Sequence, residues 1–267
     1  MLNTTMYCLC LHNEVLPVIK KLGYVPVGLG NGKFSEEWLK DDTLENISSK
    51  NKYYSEYTFH YWFWKNVLPT IEDNHWIGFC AYRQYWSNKK KITQNASIED
   101  VVIKEIPPEW EKFDAVIGEH FYVNNLKFSK LMKRGLWSLI RNPSALFKSR
   151  RNIRFHFDMW HGNGNLDKAI DLLDNERADF RKYTQKNISF SDGAMFVCRS
   201  KKLLNNYYNS LFPWLGRCEK IFGFNLKGYN NRIYAFLAER YQSYWFEKYT
   251  KPLLWPVIFY DIAKTIK

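Results

Sequence analysis

The chain has 267 residues, of which 46% are hydrophobic and 18% aromatic, so it can bury a full core and is neither disordered nor fibrous. Its 39 Lys and Arg against 27 Asp and Glu give a net charge of +12, which points to an acidic partner surface or substrate. Five cysteines without a framework spacing, and a first stretch with no charged region ahead of an apolar one, lead us to expect a reduced, cytoplasmic protein; the longest apolar run, "PLLWPVIFY", is too short to span a bilayer.

In chain order, "MYCLCLHN", "EVLPVIKKL" and "YVPVGLG" read as strand, helix and strand, a βαβ beginning. Cys8 and Cys10 fall on one strand face and, without a C-x2-C pair anywhere, read as core residues and not as metal ligands. "GLGNG", Gly28 to Gly32, satisfies neither phosphate-loop pattern and reads as a plain loop. Then come eight aromatic residues in the twelve positions from Tyr53 to Trp64. At helical spacing they nearly encircle the axis, which predicts a helix buried on most sides or with one side toward a ligand. Its polar entrance, Asn46, Ser48, Ser49 and Asn51 beside Lys50 and Lys52, suits either ordinary capping, which spacing favours, or a phosphate held on free backbone N–H groups. "HWIGFCAYRQYW" is a strand running into a polar turn, with Tyr82 and Arg83 at the end where sheets hold ligands, and "KFDAVIGEHFYV" is a further strand that carries Glu119.

Residues 120–157 contain nine Lys and Arg and not one Asp or Glu, interleaved with large apolar residues. That pattern fits a helix lying in the interface of an anionic membrane, docked by Lys130, Lys133, Arg134, Trp137, Arg150, Arg151 and Arg154, and equally a solvated basic face over ordinary core. "NLDKAIDLLDNERADFRKYT" reads as a helix and "ISFSDGAMFVCRS" as a strand, in which Gly193 would let backbone or ligand approach Asp192 closely. Two amphipathic helices follow, in "SKKLLNNYYNSLFPWLGRCEKIF" and "NNRIYAFLAERYQSYWFEKY". Strands alternating with helices predict an α/β fold with a central, mostly parallel sheet and helices on both faces. We expect a single domain over residues 1–267, with residues 120–157 as a basic amphipathic insertion.

Several of these segments, in order, resemble a bacterial family of capsule and exopolysaccharide biosynthesis proteins that carries a domain-of-unknown-function label and is regarded as glycosyltransferases. Asn46, Ile47, Ser48, Asn51, Glu56, Thr58, Tyr61, Trp62, Trp64, Lys65 and Asn66 match its opening motif. Ile77, Gly78, Tyr82, Arg83 and Tyr85 match its strand motif, whose His and second Arg are here Ala81 and Gln84. His161 is similar to its mid-chain His, and Arg232, Phe236, Leu237, Glu239 and Arg240 to its closing helix.

The resemblance implies a GT-A-like, Rossmann-like fold and transfer of a hexosyl-type group from a nucleoside diphosphate sugar to a glycan or polyprenyl-diphosphate-linked acceptor, on the inner face of the plasma membrane. Asn46, Ser48, Asn51, Glu56, Lys65, Tyr82 and Arg83 would bind the donor, and His161, Glu239 and Arg240 the acceptor side. The Asp-x-Asp that holds a divalent metal in many such enzymes is absent, which leaves a divalent metal open without that motif; Arg83 and Lys65 are the candidates to face the leaving diphosphate in its place. In an inverting reaction a carboxylate must take the acceptor's proton, with Asp192 first and Glu119 second. No nucleic acid is expected. The competing readings are a non-catalytic basic module that binds nucleic acid or membrane, and a degenerate transferase kept as an assembly partner.

Overall fold

The computed structural model describes residues 4–89, 97–125 and 128–265, apart from the side chains of Phe128, Arg134 and Thr265. The βαβ beginning is present. β1 (Thr4–Cys10) and β2 (Val25–Gly28) run parallel and are joined by α1 (Leu16–Lys21), whose first turn accommodates Pro17 because no helical partner awaits its missing N–H. β3 (Leu39–Lys40) adds parallel to β2, and the Gly30 N–H of the intervening loop is held by the buried Asp41 carboxylate at 2.9 Å.

The aromatic stretch is two helices, α2 (Asn51–Tyr54) and α3 (Tyr57–Asn66), where continuous spacing predicts one. Ser55 between them has φ 51 and ψ −133, a backbone that L side chains rarely adopt, and the helical ladder stops there. Tyr57, Phe59, Trp62 and Phe63 are buried and Tyr61 and Trp64 half-buried, as the all-round pattern of rings requires. β4 (Trp76–Ala81) turns through Tyr82 and Arg83 into β5 (Gln84–Trp86). α4 (Ile98–Val101) starts at a Ser97–Asp100 capping box and leads to β6 (Ala115–Gly118) and β7 (His120–Tyr122). The basic segment supplies α5 (Phe128–Arg141) and the start of α6 (Ile153–His161), whose first turn is capped by Asn152.

The helix predicted next divides into α7 (Asn165–Asp171) and α8 (Arg177–Lys186). The strand predicted over 188–200 likewise divides, into β8 (Ser189–Ser191) and β9 (Phe196–Cys198). The two C-terminal helices are α9 (Lys201–Phe222) and α10 (Ile233–Tyr249), followed by β10 (Pro252–Trp255) and β11 (Val257–Phe259).

The main sheet runs β10-β6-β9-β4-β1-β2-β3, parallel except where β9 lies antiparallel between β4 and β6, with β5 and β11 attached beside β4; β7 and β8 form a separate pair. Side chains alternate across β1. Tyr7 and Leu9 join Phe79, Ile117 and Phe196 beneath α3, α9 and α10, while Met6, Cys8 and Cys10 join Cys80, Val116 and Trp110 on the other face with α1. Burial on both faces is why these strands read as nearly unbroken apolar runs. Among the described residues no helix is long and apolar enough to cross a membrane.

Candidate active site

Because β1 and β4 are parallel and β9 is antiparallel to β4, the segment leading into β9, residues 192–195, lies at the carboxyl ends of β1 and β4. Gly193 has φ +84, the left-handed region that glycine adopts without penalty, and this breaks the strand and lets Asp192 leave the sheet. The segment is clamped from outside. Gln242 of α10 donates from Nε2 to the carbonyls of Gly193 and Met195, each at 3.1 Å, and Ser243 Oγ accepts the Ser191 N–H at 2.9 Å. From α3, His60 donates from Nε2 to the Ala194 carbonyl at 3.0 Å, and Tyr57 donates its hydroxyl proton to Gln242 Oε1 at 3.2 Å. Burial pushes the His60 imidazole down to about 3, so it is neutral and its Nδ1 accepts from Tyr208, 2.9 Å away. The ring-rich helix thus presents one polar tip, His60, to the backbone that positions Asp192 and a second, Tyr57, to the glutamine that clamps it.

Beside this segment lies a cavity of about 670 Å³, floored by Leu9, Cys80 and Ala81 at the strand ends. α6 contributes His156, Trp160 and His161 to its wall, and the turn before α3 contributes Glu56. The first turns of α10 and the residue before them contribute Arg232, Glu239 and Arg240. Arg240 Nη1 lies 2.7 Å from Glu239 Oε2 and also donates to the Phe236 carbonyl, and its guanidinium stands over Phe190 at 4.5 Å. Arg232 donates from Nε to Ser55 Oγ at 2.6 Å, and its Nη2 is 3.7 Å from Glu56 Oε2. The hydroxyl of the strained Ser55 is therefore used at the site.

Burial raises the Glu239 carboxyl to about 8, and the Asp192 and Glu56 carboxylates add to this while Arg240 and Arg232 oppose it. Burial lowers His156 to about 3 and His161 to about 2, with the Arg240 charge reinforcing both; His161 also stacks on Phe236 at 3.9 Å between centroids. At neutral pH the cavity therefore presents neutral imidazoles, a Glu239 held mostly protonated, and Arg232 facing the Glu56 carboxylate. Among the described residues no group of three or more His, Cys, Asp or Glu is placed to hold a metal ion.

Residues 6–251 match the family described as Domain of unknown function (DUF4422). The chain belongs to this family. Among solved structures it is similar to the WbbM bifunctional glycosyltransferase in its apo form, with a TM-score of 0.65 and 19% identity over 96% of this chain. The chain spans 45% of that protein's length. The likeness shows the fold, an α/β arrangement around a central, mostly parallel sheet. No curated protein matches the chain in sequence.

In this DUF4422 chain, five of the residues given a site role from sequence meet in the cavity: Glu56, His161, Asp192, Glu239 and Arg240. Others lie elsewhere. Lys65 is at the far end of α3, about 13 Å along the axis from Glu56 at 1.5 Å per residue; it lies over the Trp64 ring at 4.1 Å and 3.5 Å from Glu45. Arg83 is outside the cavity in the β4–β5 turn, 3.1 Å from Asp261, with its guanidinium over the Tyr82 ring at 4.8 Å. Tyr82 is buried and packs edge-on against His12. Glu119 is exposed between β6 and β7 and does not line the cavity. Asn46, Ser48 and Asn51 serve the local chain: Asn46 accepts the Ser48 N–H, and Asn51 donates to the Ser55 carbonyl and to Thr58.

The basic segment also divides. Arg151 is only 4% exposed and its guanidinium is spent on the carbonyls of Ala145 and Leu146, so it holds a turn and cannot dock a surface. Arg154 bonds Asp167 at 2.6 Å. Lys130, Lys133, Trp137 and Arg150 are exposed, and the Arg134 side chain lies outside the described residues. Sequence reasoning missed His156 and Trp160 as wall residues and His60 and Gln242 as clamps, and matched Arg232 to the closing-helix motif without giving it a role at the site. The spacing of His156 and Trp160, one helical turn apart, was the signal available for two of them.

Proposed function

We propose that the chain transfers a glycosyl group from a nucleoside diphosphate sugar to a hydroxyl of a glycan acceptor, with the reaction centred in the cavity at the ends of β1 and β4. The observation that carries this reading is the convergence of Asp192, Glu239, Glu56, Arg232 and Arg240 on that cavity, in a fold similar to that of a glycosyltransferase. In the transfer, the bond from the anomeric carbon to the diphosphate oxygen breaks and a bond to the acceptor oxygen forms. The diphosphate leaves with the electron pair, and a fixed cation near it stabilises the transition state more than the ground state. Arg232 suits that task better than Arg83 because it lines the cavity and is braced by Ser55. In an inverting reaction Asp192 takes the acceptor's proton, its position set by the backbone clamp, while Glu239 and Arg240 orient the acceptor. The assembly served would be a bacterial capsule, exopolysaccharide or O-antigen.

The test is donor binding followed by transfer. A UDP-, GDP-, dTDP-, ADP- or CDP-linked sugar at millimolar concentration should raise the melting temperature, since a ligand of the native state stabilises it by mass action. Asp192→Asn should lower transfer by about 10²-fold or more with the donor-induced shift retained, because a base acts on the acceptor and not on the donor. Absence of a shift with every donor would remove the basis of the reading.

A further inference from the structure

The basic segment presents an apolar face that none of the described residues covers. α5 turns Leu131 and Leu139 inward, against Phe155 and Met159 of α6, and turns Met132, Leu136, Trp137 and Ile140 outward. Trp137 is 72% exposed and Ile140 60%, and the turn that follows adds Leu146 and Phe147, the latter 70% exposed. At 100° per residue Met132, Leu136 and Ile140 form one stripe, Trp137 flanks it, and Lys133 and Lys130 sit beside Trp137. Lys148 and Arg150 are exposed next to Phe147. Lys130, Lys133, Lys148 and Arg150 form no ion pair among the described residues, and residues 120–157 contain no carboxylate to neutralise them.

We infer that this face docks on an anionic lipid bilayer, with the apolar stripe at the acyl boundary and the lysines and arginine among the headgroups. Exposed indole and phenyl groups rimmed by cations match that interface in both polarity and charge. A second copy of the chain would bring two uncompensated basic rims together, and a nucleic acid would leave the apolar stripe in water. α6 makes the location useful. Phe155 and Met159 face α5, whereas His156 and Trp160, about a quarter-turn round the same helix, line the cavity, so the docking helix packs directly on an element of the cavity wall. Resting on the transfer reading above, this assigns the acceptor to the lipid-anchored class, presented from the bilayer and not from solution.

Flotation of the whole chain with vesicles of phosphatidylcholine alone, or mixed with phosphatidylglycerol, tests the docking without any donor present. Binding should require the anionic lipid and fall with added salt. Each of Lys130, Lys133, Lys148 and Arg150 changed to Gln should weaken it by about fivefold. Trp137→Ser with Phe147→Ser should abolish it, and all these variants should melt as the parent does because the residues are exposed. Equal binding to neutral vesicles, no binding, nuclease-sensitive binding, or a concentration-dependent dimer dispersed by Trp137→Ser would each overturn the inference. Should docking hold while a lipid-linked acceptor in the same vesicles receives no sugar from any donor, the surface stands and the transferase reading fails.

Discussion

Ser55 is the residue at which local preference and use conflict most plainly. Its φ of 51 costs a non-glycine residue on the order of 1 kcal/mol, yet its hydroxyl is the acceptor that braces Arg232. Ser55→Gly should therefore leave the melting temperature unchanged or slightly raised, since glycine adopts this backbone freely and its loss of one partly exposed hydrogen bond is small. Turnover should nonetheless fall, read as a lower kcat/KM in a transfer assay; unchanged turnover would show that the brace is dispensable. Among the singled-out residues, Asp192 could be suspected from sequence because a glycine follows it and a strand surrounds it. Arg83 could be suspected as readily from its place after a strand, but its contact is Asp261, 178 positions away and invisible in any local pattern.

At the scale of elements, α3 and α10 act as a vice on the segment between β8 and β9. The rings of α3 bury its sides, and the tips of Tyr57 and His60 complete a polar network that reaches the segment directly and through Gln242. Gln242→Leu would leave the Gly193 and Met195 carbonyls without their donor in a buried setting, and we expect a loss of about 1–3 kcal/mol of stability by denaturant unfolding. Asp192 would then be less well held, so transfer should fall by more than donor binding does. Equal loss in both would indicate general disruption. The aromatic content of α3 was legible from its sequence, and so was its burial. That two of its polar side chains would be spent on a carbonyl and on a glutamine from the other end of the chain was not.

At the scale of the whole molecule, buried titratable groups set the pH range of the fold. His60, His156 and His161 have folded-state values of about 3, 3 and 2, far below the usual 6.5, so the unfolded chain binds protons that the native one refuses as pH falls below about 6.5. Stability from these groups is present above that point and lost toward acid. Glu239 acts in the opposite sense: raised to about 8 from 4.5, it contributes fully below about 4.5 and loses that contribution as pH rises toward 8. Each group contributes a slope of at most about 1.4 kcal/mol per pH unit, so three histidines outweigh one glutamate between about 4.5 and 6.5. The melting temperature should peak near pH 6.5 and decline on both sides, and Glu239→Gln should flatten the alkaline decline and steepen the acid one, because the glutamate opposes the histidines between about 4.5 and 6.5. A decline above pH 6.5 that survives Glu239→Gln would assign it to other groups. Hydrophobic period, the order of strands and helices, and the acid-free segment are local properties, and the sequence by itself determined from them the α/β class, the two-faced burial of the central strands and the basic face. The cavity depends on which distant side chains meet once the sheet is assembled, as Tyr57 and Gln242 do across 185 positions, and on which charges are consumed internally, as Arg151 is. Those outcomes follow from packing and from the need of every buried polar group for a partner, and only the tertiary structure decided them.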